Sequence, residues 1–195
     1  MTNRGAGRAD SPRIQRSPGI LEAMRKFLPR IAAALTAAAF ASHAVAADAV
    51  VGRESGATIR ERVVELVNAA RSGGRRCGAT RYAAAPPLRV SRPLRAAAAD
   101  HARDMARRNY FDHRGRDGSQ PKDRVLRAGY EPRLTGENIA FGPESAEEVV
   151  AGWLDSPGHC ANIMDPRFDH IGVGFSTGRK RNRIYWVQTF GAPRS

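Results

Sequence analysis

Between Thr58 and Ser72 the apolar residues Ile59, Val63, Leu66, Val67 and Ala70 recur three or four positions apart, and Gly73-Gly74 ends the pattern. That period predicts an amphipathic helix. Ser91 is placed to cap a second helix with Pro93 in its first turn, and Leu94, Ala97, Ala98, His101, Ala102 and Met105 trace one face down to Asn109. The same stripe sets His101 among apolar neighbours, where a hydrogen-bonded core histidine is expected rather than a ligand. A short third helix is predicted from Pro121 to Arg127, stopping near Gly129. Ser145-Ala146-Glu147-Glu148 has the form of a capping box opening a fourth helix through Val149, Val150 and Trp153, which Pro157-Gly158 should end. The pattern then changes. His170–Ser176 (HIGVGFS) and Arg183–Phe190 (RIYWVQTF) are β-branched and aromatic and flank a loop of Gly, Arg, Lys and Asn, so they read as a hairpin; Gly136–Phe141 (GENIAF) is a weaker third strand. Helices before and between antiparallel strands predict an α+β layered domain, and no internal repeat is visible.

The N-terminus alters this picture. Arg25, Lys26 and Arg30 precede the apolar run Ile31–Ala41, and Ala44-Val45-Ala46 supplies an A-x-A arrangement, the form of a secretory signal peptide. The run is about half of what a membrane-crossing helix needs, so no transmembrane anchor is expected. Residues 1–46 are therefore read as a leader, with Met24 a plausible true start, 47–57 as a flexible mature tail and 58–195 as one domain, secreted or periplasmic. The formal charge of +13 includes seven basic and two acidic residues in that leader, which leaves +8 on the remainder. Arginines are scattered along the chain rather than gathered into a recognisable motif, so nucleic acid is not an expected partner. Arg179-Lys180-Arg181 with Arg183 is a compact basic tip, read as a solvated hairpin loop. Two cysteines, Cys77 and Cys160, remain after the leader; an exported setting favours a disulfide between them, two free buried thiols being the alternative.

The candidate chemistry lies at element ends. His113 follows the second helix in Tyr110-Phe111-Asp112-His113, Glu137 lies in Gly136-Glu137-Asn138, and His159 lies in Ser156-Pro157-Gly158-His159 after the fourth helix. Two imidazoles and a carboxylate can serve a divalent metal, a general acid/base pair or a structural hydrogen-bond network, and spacing alone does not choose. No H-E-x-x-H is present. A hydrolase would use the histidine pair to activate water, or Ser156 as nucleophile with His159, but no G-x-S-x-G elbow accompanies that serine. Tyr110, Phe111, Phe141, Trp153 and Tyr185 are available either as apolar walls or as core. Asn138 and Asn162 are placed to bond backbone groups at the bends.

Five ordered blocks carry a family resemblance: His101–Met105 (HARDM), Asn109–His113 (NYFDH), Gly136–Ala140 (GENIA), Trp153–Met164 (WLDSPGHCANIM) and Trp186–Gly191 (WVQTFG). Together they resemble the CAP superfamily of cysteine-rich secretory proteins, antigen 5 and pathogenesis-related 1 proteins, in its bacterial SCP-like extracellular form, over about Ile59 to Gly191. The resemblance implies a three-layer α-β-α sandwich with a mostly antiparallel central sheet. It also implies a cleft lined by two histidines and two acids, which holds zinc in some members. His113, Glu137 and His159 match three of those positions, while Ser156 stands where the second acid is expected. Asp155 is adjacent, but neighbouring helical residues point about 100° apart. The expected function is accordingly a non-catalytic, monomeric module that binds a lipid or envelope polymer in a cleft of His113, Glu137, Asn138, Ser156 and His159, with zinc at His113 and His159 as the cofactor alternative and no catalytic residue assigned beyond the trio.

Overall fold

The structure, a computed structural model, describes residues 55–178 and 183–194. The expected leader, Met24 and Arg179-Lys180-Arg181 of the basic tip lie outside these residues. Helix α1 (Gly56–Ser72) begins two residues earlier than its periodicity suggests, because Ser55 Oγ accepts from the Thr58 N–H and caps it. Helix α2 (Arg92–Arg108) follows the predicted pattern: Ser91 Oγ accepts from Leu94 N–H, and Asn109 ends it in the left-handed conformation (φ 54°) with its own N–H on the Met105 carbonyl. Helix α3 spans Pro121–Arg127. Helix α4 (Ala146–Asp155) is capped by Ser145, while Glu148 reaches past the cap to the Glu144 N–H.

Pro157-Gly158 does end α4, but it also starts another helix. Pro157 is the first residue of α5 (Pro157–Met164), a position that needs no backbone donor. His159 thus sits in the first turn of a helix rather than in a loop.

The strands are β1 (Arg75–Cys77), β2 (Thr80–Tyr82), β3 (Arg89–Val90), β4 (Pro132–Phe141), β5 (His170–Thr177) and β6 (Ile184–Pro193). The first two form a small separate hairpin, and the other four make one sheet in the order β3-β5-β6-β4. The β5–β6 hairpin and the β4–β6 pairing are antiparallel, as expected; the two-residue β3 runs parallel to β5, so the sheet is mixed. The strand read over 136–141 in fact starts at Pro132.

Strand alternation sorts the side chains into two cores. Ile171, Val173, Trp186 and Phe190 meet Val63 and Val67 of α1, Val149, Val150 and Trp153 of α4, and Ile163 and Met164 of α5. On the opposite face Ala98, Ala102 and Met105 of α2 meet Ile139, Tyr185 and Val187, and Leu94 and Ala97 pack with Val125 and Tyr130. The glycines of HIGVGFS explain how close α2 comes. A Cβ on Gly172 or Gly174 would run into the α2 backbone at Leu94–Arg95 and Ala98–Ala99. The result is the expected three-layer α-β-α arrangement. Cys77 is disulfide-bonded to Cys160 across 83 residues, tying the small hairpin to α5. Among the described residues, no helix is long and apolar enough to cross a membrane.

Candidate functional site: a buried glutamate orienting a surface imidazole

Glu137 is the centre of the arrangement. It lies on β4, opposite Thr189 of β6, on the sheet face that α2 and α3 cover, and its side chain is only 3% exposed. A carboxylate so placed requires charged or donor partners. Its Oε2 accepts from Arg124 Nη2 at 2.8 Å and its Oε1 from His113 Nδ1–H at 2.8 Å. The His101 ring stands behind, with Nε2 at 4.0 Å from Oε1.

Each partner is delivered by local structure. The αL cap at Asn109 turns the chain off α2 into the loop that carries His113, whose side chain remains 48% exposed. With Nδ1 held by Glu137, the Nε2 edge of the His113 ring faces away from the carboxylate. Arg124 comes from α3 and is 8% exposed. It also donates Nη1–H to the Ser119 carbonyl at 3.0 Å and Nη2–H to the His113 carbonyl at 2.9 Å, so one guanidinium holds both the loop and the carboxylate. Its Nε is buried without a partner among the described residues. His101 is a core histidine, as its place on the apolar stripe suggests: 1% exposed, with Nε2–H donated to the Asp112 carbonyl at 2.9 Å. Burial pushes its pKa down, against the pull of Glu137, and the ring is neutral at neutral pH.

His159 approaches from the other layer. Burial lowers its pKa, and electrostatic repulsion from the His113 imidazole adds to the effect, so the two imidazoles sense one another. Asn138 differs from the expected cleft residue. As the neighbour of Glu137 on a strand it points to the opposite face, where it is fully buried; its Nδ2 donates to the His159 carbonyl at 3.1 Å and to Gln188 Oε1 at 2.9 Å, and its Oδ1 accepts from Asn162 at 2.8 Å. Asn138 is therefore a strut for the α5 segment that carries His159, not a wall of a cleft. Ser156 joins α4 to α5 and its hydroxyl makes no capping bond; among the described residues no hydrogen bond links it to His159.

The aromatic residues divide. Trp153, Tyr185 and Tyr110 are core, whereas Phe111 (49% exposed) and Phe141 (38%) form an exposed pair with centroids 6.1 Å apart. Phe111 belongs to the His113 loop, and Phe141 stands on the same face of β4 as Glu137. Arg183 of the basic tip lies 5.5 Å over the Phe141 ring. Two cavities, of ≈ 480 and ≈ 510 Å³, flank this region, and neither is lined by His113, Glu137 or His159. The site is a shelf beside these cavities rather than their interior.

A zinc site does not fit the donor set. Both oxygens of Glu137 are engaged, one of them by a guanidinium whose charge opposes a cation, and Ser156 supplies no carboxylate. Among the described residues, no group of three or more His, Cys, Asp or Glu side chains is arranged to hold a metal, against the three or four protein ligands zinc ordinarily takes.

The residue that sequence reasoning missed is Arg124. It lies among other basic residues on a short helix, and the only local sign of its burial is its neighbour Val125.

Comparison with known proteins agrees with this architecture. The family described as "CAP: Cysteine-rich secretory protein family" matches residues 64–190. The chain is 37% identical over 130 residues to the uncharacterized protein YkwD of Bacillus subtilis (strain 168), spanning 67% of this chain and 46% of that protein. It is 32% identical over 103 residues to the uncharacterized membrane protein YlbC of the same organism, spanning 53% of this chain and 28% of that one. The chain thus spans less than half the length of these curated relatives. Among solved structures, an extracellular protein containing a SCP domain from Bacillus anthracis str. Ames superposes with a TM-score of 0.57 at 25% identity, covering 72% of this chain and 44% of that one. An outer surface protein from Borrelia burgdorferi superposes with a TM-score of 0.55 at 22% identity, covering 69% of this chain and 89% of that one. With most of its folded length matched and the same layered architecture, the chain belongs to the CAP family of cysteine-rich secretory proteins.

Proposed function

We propose that this protein is exported and acts as a non-catalytic binding module, holding a lipid or cell-envelope polymer on the surface formed by His113, Phe111 and Phe141. The observation that carries the reading is the division of labour around Glu137. Its charge is spent on Arg124 and on orienting His113, which leaves an imidazole edge on the same loop as the exposed Phe111, itself paired with the exposed Phe141. An oriented polar group next to apolar faces suits recognition of an amphiphilic or glycan ligand. Among the described residues neither His113 nor His159 is bonded to a nucleophile, and each oxygen of the buried glutamate already accepts a hydrogen bond, which favours binding over chemistry at this place. Export rests on the leader sequence, and the extracellular Bacillus anthracis protein of similar fold supports it.

The test is cosedimentation of purified protein with isolated cell-wall polymer and, separately, with phospholipid vesicles, alongside mass spectrometry of material extracted after native purification. One of the two preparations should carry the protein down, and a Phe111→Ser, Phe141→Ser, His113→Ala variant should remain in solution. Failure to bind either, together with an empty extract, would sink the reading.

A further inference from the structure

A cluster of charged side chains, of which the His113 shelf uses only Arg124, gathers at one cavity. It has a volume of ≈ 480 Å³ and lies between α2, α3 and the 115–119 loop. The space exists because small residues face it: Ala96 and Ala97 on α2, Ala128 after α3 and Gly115 in the loop. Five arginines line it, namely Arg103, Arg107 and Arg108 from α2 and Arg124 and Arg127 from α3. Three aspartates face them. Asp100 is held by Arg103 Nη1, Asp117 by Arg127 Nη1, and Asp104 by both Arg107 and Arg108. With Arg124 neutralised by Glu137 behind it, the four exposed arginines face three aspartates, and the lining carries an excess of one positive charge.

Two features make this more than a patch of paired surface charges. First, Arg103, Arg107, Arg108 and Arg127 have side chains 50–66% exposed, and exposed pairs of this kind contribute little, so each guanidinium is free to give its remaining N–H groups to a better acceptor. Second, Arg124 stands at the back of the cavity with its side chain over nine-tenths buried and fixed by Glu137 and the Ser119 and His113 carbonyls, so the inner wall is rigid rather than a set of mobile surface groups. A cavity with small-residue walls and a surplus of guanidinium forks has the chemistry that recognises phosphate or carboxylate groups in bidentate fashion.

We propose that the α2–α3 cavity binds a small soluble polyanion bearing phosphate or carboxylate groups, at a site that adjoins the His113 shelf through Arg124. The probes are inorganic pyrophosphate and citrate, titrated into the protein by calorimetry at about 0.15 M salt to screen loose association. Saturable one-to-one binding is expected for at least one probe. Arg103→Gln with Arg127→Gln, both at exposed positions, should weaken it by about tenfold or more, the worth of one charge-assisted hydrogen bond. Ala96→Leu keeps every charge and fills the exposed mouth of the cavity; it should weaken binding comparably. Three results would each overturn the proposal: no saturable heat up to about 10 mM of either probe; a loss in the arginine variant with none in Ala96→Leu, which means charge without a site; or binding only to vesicles of phosphatidic acid, which places the anion on a membrane surface instead.

Discussion

Two buried arginines, one on each side of the central sheet, show what separates architecture from a site. Arg71, at the end of α1, is fully buried, and its guanidinium donates to four backbone carbonyls: Pro86 from Nε, Ile163 and Asp165 from Nη1, and Phe168 from Nη2. Arg124 is almost as buried, but it donates to a carboxylate that in turn holds a surface imidazole, and one of its nitrogens goes unused among the described residues. Arg71 knots α1, the 86–88 segment and the end of α5 together through acceptors that cannot titrate. Arg124 belongs to a chain of ionisable groups that ends in solvent. The first is a fastening, and the second sets the charge and orientation of a group that a ligand can meet.

Substitution should expose that difference. Arg71→Met leaves four carbonyls without their donor, and no second side-chain change can remove them; a loss of about 4–5 kcal/mol is expected in denaturant unfolding, and a value under about 2 kcal/mol would mean water replaces the guanidinium easily. Cys77 and Cys160 brace the Arg71 side, and the chain-entropy account of an 83-residue loop assigns them about 4 kcal/mol. A Cys77→Ser, Cys160→Ser variant measured beside oxidised wild type tests this. Glu137→Gln leaves Arg124 buried without its counter-charge and should cost about 3 kcal/mol, most of it recovered in the double variant Glu137→Gln, Arg124→Met. Such rescue is the property Arg71 lacks, and an additive double variant would erase the distinction.

The smallest effect is the pH dependence. Burial depresses the pKa of His101 and His159, so below about 6.5, the value of a free imidazole, the unfolded chain binds protons that the folded chain resists. The stability these rings contribute is present in full above that pH and is lost as pH falls through their folded values. Thermal midpoints should drop from pH 7 towards pH 5, and the drop should be shallower in His159→Gln. A midpoint that is flat or rises on acidification would contradict both assignments.

How far the residues foretold this is uneven, for identifiable reasons. Helix α2 was legible from end to end because its stripe, its Ser91 cap and its Asn109 terminator all agree. The β5–β6 hairpin was legible from its alternation. Helix α5 was not, since Pro157-Gly158 carries a stop signal and a start signal at once, and only the packing of Cys160, Ile163 and Met164 against the sheet decides for a helix. Strand β3 has two residues and no pattern of its own; it exists through its parallel pairing with β5. Among the site residues, the His113–Glu137 contact was anticipated as a constellation but not as a geometry. Asn138, named beside Glu137 in the chain, points away from it because consecutive residues of a strand face opposite layers.

By itself the sequence determined helices α1 to α4, the β5–β6 hairpin, the placement of His101 in the core and the set of blocks that carry the family. All of these depend on local period, caps and residue type, which short windows contain. Tertiary structure alone decided that Glu137 is neutralised by Arg124, that Asn138 serves the far side of the sheet and that the arginines of α2 and α3 enclose a cavity. Those outcomes depend on which face of one element meets another across tens of residues of chain, and the energy that selects them, burial against pairing of charge, exists only once the layers have closed.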